Sequence, residues 1–219
     1  YYYSKLAFDN LPNNMPHFNL YMNSLVNRKD SQEINRAFYY VQSLAGDTST
    51  IWQIYLRSLA SVLSLGDSFA MSKAAEAFKL FPQNDIIFQL YRMMTYGQER
   101  VGKAQQLYQN ANKLYNERNY DEAFNLFNQA FDLDPLEFSY ALNSGLSLYE
   151  NAKYEEAISY FKIAQNSKKT AVKEKAMRYK GISLYKNGSQ SESCATFLKL
   201  VNTYPKRMYR QEFNKYCKN

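Results

Sequence analysis

Histidine is almost absent from this 219-residue chain, with His17 alone. Any site that needs two imidazoles is thereby excluded. Two cysteines, Cys194 and Cys217, are too few for a disulfide scaffold or a cysteine-rich zinc site. Glycine and proline number only seven and five, which excludes collagen-like and linker-rich chains. The glycines are scattered, so no phosphate-cradling loop exists. No G-x-S-x-G elbow, H-E-x-x-H helix or calcium-loop pattern occurs. The most apolar window, 51–65, is broken by Gln53 and Arg57 and falls short of the ~20 residues that span a membrane. The sequence therefore points away from an enzyme, and to no cofactor and no metal. The chain opens Tyr-Tyr-Tyr-Ser, without Met and without a signal-peptide pattern. That start reads as a mature end or an excised piece, from which an upstream anchor or targeting segment would have been removed.

What the chain does have is apolar and aromatic. Apolar residues make up 46%, with 21 Tyr and 14 Phe, enough to bury a sizeable core. Their spacing is helical from end to end, and strand alternation is hard to find. The periodicity predicts about twelve helices, near 16–28, 32–45, 49–64, 67–81, 84–96, 99–118, 121–133, 138–151, 154–167, 171–187, 190–203 and 207–217. Breaks fall at Asn119, Asp134-Pro135, Lys153, Gly188-Ser189 and Tyr204-Pro205. Links of two to five residues favour antiparallel neighbours. The paired acids Asp121-Glu122 and Glu155-Glu156 sit at helix starts, where the helix dipole favours them. His17, after Pro16, has a surface or capping place at another start.

Internal repetition sets the architecture. Tyr115-Asn116-Glu117-Arg118-Asn119-Tyr120-Asp121-Glu122-Ala123, with Phe127 and Ala130, is matched 34 residues later. There the chain reads Tyr149-Glu150-Asn151-Ala152-Lys153-Tyr154-Glu155-Glu156-Ala157, with Phe161 and Ala164. A third copy follows 36 further on through Gly181, Tyr185, Asn187, Phe197, Leu200 and Pro205. Small residues recur at the eighth place (Ala111, Gly145, Gly181) and the twentieth (Ala123, Ala157, Ser193), and Phe at the twenty-fourth. This pattern resembles the tetratricopeptide repeat (TPR) family, as found in bacterial proteins of that type. The resemblance is dense over 104–205. Residues 51–82 follow it in part through Ala70, Ala74, Ala77 and Pro82, and 15–47 only loosely. It implies an all-α, right-handed superhelical solenoid of antiparallel helix pairs. The expected division is a degenerate N-terminal module (1–97), three repeats (98–206) and a C-terminal capping helix (207–219).

The same resemblance implies a scaffold that binds a peptide or partner protein in a groove lined by the first helix of each pair. Carried onto this chain, the lining includes Tyr108, Asn112, Asn143, Leu146, Lys175, Arg178, Tyr179 and Ile182. One subclass holds a terminal carboxylate there. Asn112, Asn143 and Lys175 match its pattern, while Tyr108 and Tyr179 stand where it has Lys and Arg. Tyr115, Tyr149 and Tyr185 either line the groove or pack on the neighbouring helix. The end of the chain also resembles the tail of some bacterial members. Cys194 and Cys217 are there either a disulfide, implying an extracytoplasmic setting, or two buried thiols in a cytoplasmic one.

Charge offers a rival. Residues 162–219 hold 14 Lys/Arg against three acids, net +11, whereas 1–161 are net −4. Such a segment suits an electrostatic binder of nucleic acid or an anionic membrane, although its basic residues are spread over several helices. A further alternative is an accessory domain of a larger membrane-anchored protein.

Overall fold

The computed structural model describes residues 1–218. Among these residues it has thirteen helices and no strand. They form two compact units, Tyr1–Gln98 and Glu99–Asn219.

The first unit holds α1 (Tyr2–Asn10), α2 (Met15–Asn27), α3 (Ser31–Ala45), α4 (Ser49–Val62), α5 (Ser68–Leu80) and α6 (Asp85–Tyr96). Each of α2 to α6 starts at a residue whose side-chain oxygen accepts from the N–H three residues on: Asn14, Asp30, Thr48, Asp67 and Asn84. Those bonds satisfy N–H groups that a helix start would otherwise leave unpaired. The core is aromatic, with Phe38 stacked on Tyr55 at 3.8 Å and edge-on to Trp52 at 4.8 Å. Helix α1 departs from the sequence expectation, which placed nothing before residue 16. It has no side-chain cap and three exposed tyrosines at its start. Tertiary packing holds it instead: Phe8 stacks on Tyr21 at 4.7 Å, and Ser4 Oγ donates to Ser24 Oγ at 3.0 Å.

The second unit holds α7 (Gln98–Asn116), α8 (Tyr120–Leu133), α9 (Phe138–Glu150), α10 (Tyr154–Ala164), α11 (Thr170–Lys186), α12 (Gln190–Thr203) and α13 (Arg207–Cys217). The pairs α7–α8, α9–α10 and α11–α12 share one turn. In each, the second residue after the helix is left-handed: Arg118 (φ 64°), Ala152 (φ 56°) and Gly188 (φ 81°). Its N–H returns to the carbonyl three residues back, and the next N–H to the carbonyl five back, as Arg118 to Tyr115 and Asn119 to Leu114 do. This double bond closes a helix end by satisfying its last carbonyls. The turn between α2 and α3 repeats it, with Lys29 at φ 54°, Lys29 N–H on Val26 and Asp30 N–H on Leu25. The loosely patterned residues 15–47 thus contain the same hairpin turn. Between α4 and α5 the chain turns differently, through Gly66.

Within the pairs, the small residues admit the phenylalanines. A Cβ added at Gly145 would lie 2.7 Å from Phe161, and one at Gly181 would lie 3.1 Å from Phe197. Ala111, Ala123 and Phe127 pack together in the first pair. The second unit is accordingly an all-α solenoid of TPR-type helix pairs.

Candidate functional site

Side chains 32–35 residues apart tie each pair of the second unit to the next. The same spacing also occurs inside the first pair, where Arg100 of α7 donates to the carbonyls of Leu133 and Asp132 of α8 at 2.7 and 3.0 Å; the other bonds run between pairs. Lys153 pairs with Asp121 at 2.9 Å, and Tyr160 Oη donates to Asn128 at 2.8 Å. Lys169 reaches Glu137 at 3.4 Å. These bonds bring the first helices of successive pairs, α7, α9 and α11, alongside one another. Their shared face is the candidate site.

On α7 and α9 the amides do two things at once. Asn143 Nδ2 donates to Tyr108 Oη at 3.0 Å, and Asn112 Nδ2 donates to the Tyr108 carbonyl at 2.9 Å. Both amide nitrogens are therefore used internally, and the one of Asn143 holds the half-buried ring of Tyr108 in place. Neither side-chain carbonyl oxygen accepts a hydrogen bond among the described residues. Gln105 and Gln109 beside them are exposed. Further along, burial, and then the Glu150 carboxylate, push the Tyr115 phenol up to about 12. Tyr115 lies edge-on to Tyr120 and Tyr149 packs on Tyr154, so these two tyrosines contact the second helix of their own pair. Tyr185 instead packs on Tyr216 of α13, at 4.8 Å.

On α11 the expected groove residues divide. Lys175 is exposed. Tyr179 packs between Tyr149 and Phe161. Arg178 turns to the last helix: its Nε and Nη2 donate to Glu212 Oε1 of α13 at 2.8 and 2.6 Å. That hydrogen bond raises the guanidinium further above its ordinary range. Leu146 and Ile182 differ from the expectation. They are 5% and 6% exposed and belong to the packed interior. Apolar side chains at the edge of a helix face turn inward when the neighbouring pair offers them cover.

Sequence reasoning missed the acids that hold α13. Glu174 is buried and accepts from both Lys206 and Tyr209. Burial works against its ionisation, but the two hydrogen bonds and the Lys206 charge outweigh it, so its carboxyl lies below the ordinary range. Tyr209 is buried, and Tyr216 stacks on Phe197 at 5.2 Å. Cys194 and Cys217 are joined by a disulfide, with Cα atoms 5.5 Å apart. Helix α13 thus lies where the first helix of a further pair would stand, covering the last apolar face as a repeat array requires. Glu212 falls 34 residues after Arg178, one repeat length, and that spacing is the one signal that could have marked it.

Among the described residues no helix is long and apolar enough to cross a membrane, and no cluster of His, Cys, Asp or Glu is arranged to hold a metal ion.

No protein-family model matches the chain, and no curated protein matches it. Among solved structures it is similar to YrrB, described as a TPR protein with an unusual peptide-binding site. The identity is 13%, 97% of each chain is covered, and the TM-score is 0.42. It is also similar to MamA in two forms. For MSR-1 the identity is 15%, with 86% of this chain and 95% of that one covered and a TM-score of 0.38. For AMB-1 the identity is 15%, with 85% and 91% covered and a TM-score of 0.38.

Proposed function

We propose that the protein is a non-catalytic scaffold that binds an extended segment of another protein across α7, α9 and α11. One observation carries this reading. The carbonyl oxygens of Asn112 and Asn143 and the ammonium of Lys175 are unused on successive helices, next to the fixed ring of Tyr108. Amide oxygens accept from a peptide backbone, and a rigid tyrosine supplies contact area at low entropic cost. The bridge to α13 suits an oxidising compartment, where we place the protein.

The test uses an array of random ten-residue peptides probed with the full chain. Asn112→Ala combined with Lys175→Ala removes one acceptor and the free charge, together with the Asn112 bond to the carbonyl one turn back in its own helix, and leaves the apolar core intact. The double variant is expected to lose at least tenfold in affinity for the peptides that wild type retains, while keeping a cooperative thermal melt. Equal affinity of the two proteins defeats the reading.

A further inference from the structure

The first unit keeps an apolar cavity where α4 and α6 end. These two helices pack side by side, and near their starts Gln53 Nε2 of α4 reaches Asn84 Oδ1, the cap of α6, at 3.5 Å. Beyond their ends, Leu65 in the turn after α4 lies against Gly97, the residue that closes α6. A Cβ added at Gly97 would be 3.0 Å from Leu65 Cδ2. The two helices thus run in the same direction and stop together, α4 at Val62 and α6 at Tyr96. Gly97 has φ 87°, which glycine adopts without strain, and its lack of a side chain admits Leu65. Between the helix ends is a cavity of about 360 Å³, within the roughly 300–1,000 Å³ of small-molecule sites.

Six large apolar side chains wall it: Leu59, Leu63 and Leu65 from α4 and the turn after it, and Leu90, Met93 and Met94 from α6. Helix α5 adds only Ala70. Its buried face is Ala70, Ala74 and Ala77, whereas α8, α10 and α12 each bury a phenylalanine, Phe127, Phe161 and Phe197. A face of alanines leaves space open. Leu65 shows the consequence: it is 67% exposed, and wall atoms without neighbours forgo dispersion contacts. Among the described residues that line the cavity there is no charged side chain and no aromatic ring. An ionised group inside would lose its water with no counter-charge, and a flat ring would find no ring to stack on. Leucine and the unbranched thioether of methionine follow a flexible chain instead.

The rim of the cavity offers acceptors. Ser61 lines it and is exposed. Its Oγ donates to the Arg57 carbonyl at 2.9 Å, which leaves the oxygen to accept. The last carbonyls of a helix carry partial negative charge, and two helix ends meet here. A hydrogen-bond donor is favoured at such a rim, and a carboxylate is not. We propose that the cavity binds a single unbranched alkyl chain with a neutral hydroxyl head, as in a fatty alcohol or a monoacylglycerol. The chain lies among Leu59, Leu90 and Met93, and the hydroxyl donates at the rim beside Ser61. The site shares no residue with Asn112, Asn143 or Lys175, and its fate is independent of the proposed peptide face.

The experiment titrates the full chain calorimetrically with decanol, monodecanoylglycerol and decanoate, each below the concentration at which it self-associates. Saturable binding of the two neutral amphiphiles is expected, with decanoate at least tenfold weaker. The tighter of the two identifies the head as a simple alcohol or a glycerol. Ala60→Phe fills the cavity from an exposed position on α4. Met93→Gln keeps the length of the side chain and puts an amide on the apolar wall. Each variant is expected to bind at least tenfold more weakly while keeping a cooperative melt. Sedimentation of the ligand-free chain examines another occupant: a dimer that decanol dissociates would assign the cavity to a second copy and overturn the proposal. No saturable binding by wild type, decanoate bound as tightly as decanol, or unchanged affinity in both variants would overturn it equally.

Discussion

At Gly145 and Gly181 a single hydrogen atom decides whether two helices can meet. A methyl group at Gly145 would lie 2.7 Å from the Phe161 ring, closer than real contacts come, whereas at Gly181 the nearest ring atom is 3.1 Å away. Overpacking of the first kind typically costs about 1–3 kcal/mol, and the higher helix propensity of alanine returns about 1 kcal/mol. Gly145→Ala is therefore expected to be at least ~1 kcal/mol less stable than Gly181→Ala in urea denaturation, and equal midpoints would contradict the packing. These positions were legible in the sequence because a small residue facing a large one recurs at the repeat period. Glu174 and Glu212 were not. Their partners Lys206, Tyr209 and Arg178 lie 32–35 residues away, about one repeat length, and in a chain with many charged residues that spacing alone does not say which acid meets which base. Leu146 and Ile182 mark the opposite error. Repeat register alone assigns them to a face, but whether an apolar side chain at the edge of that face stays out depends on what the neighbouring pair covers.

The helices and turns show where local signals suffice. Twelve helices announce themselves by apolar period and by breaks, and the structure has them with small shifts at the ends. Helix α1 has neither cap nor stripe, and forms because Phe8 finds Tyr21. The repeated turn was visible only in part. Its left-handed residue is glycine at Gly188 but Ala152 and Arg118 in the earlier repeats, so the glycine signal that usually marks such a turn is missing from two of three. An L-residue in this conformation costs roughly 1–2 kcal/mol, and glycine avoids that at some loss of unfolded-state order. Ala152 is exposed. Ala152→Gly is expected to stabilise the chain by ~0.5–1 kcal/mol. Gly188→Ala, at a position with open space around it, is expected to destabilise by a similar amount. Chemical denaturation of the two variants checks both signs, and a stabilising Gly188→Ala would show that the turn is not left-handed in solution.

On the scale of the whole chain, each unit carries its own core. The aromatic cluster around Phe18, Phe38, Trp52 and Tyr55 lies entirely within the first unit. The clusters around Phe127, Phe161 and Phe197 lie entirely within the second. Fragments 1–98 and 99–219 are therefore expected to fold separately, each with a helical spectrum and a cooperative melt. The two should answer differently to a dithiol reductant. Cys194 and Cys217 are 23 residues apart in sequence, and a bridge over a loop of that size is worth about 3 kcal/mol through the order it imposes on the unfolded chain. Reduction transfers two electrons from the dithiol to the bridge, leaving two protein thiols and an oxidised reductant. It should lower the melting temperature of fragment 99–219 and leave that of 1–98 unchanged. The folded array should survive the loss, because Glu174, Arg178 and the stack of Tyr216 on Phe197 still hold α13. Cys194→Ser should reproduce the shift without reductant. Protein purified without reductant should show no free thiol after denaturation. Two titratable thiols, or a melt of 99–219 that ignores reduction, would mean that side-chain contacts alone hold the cap.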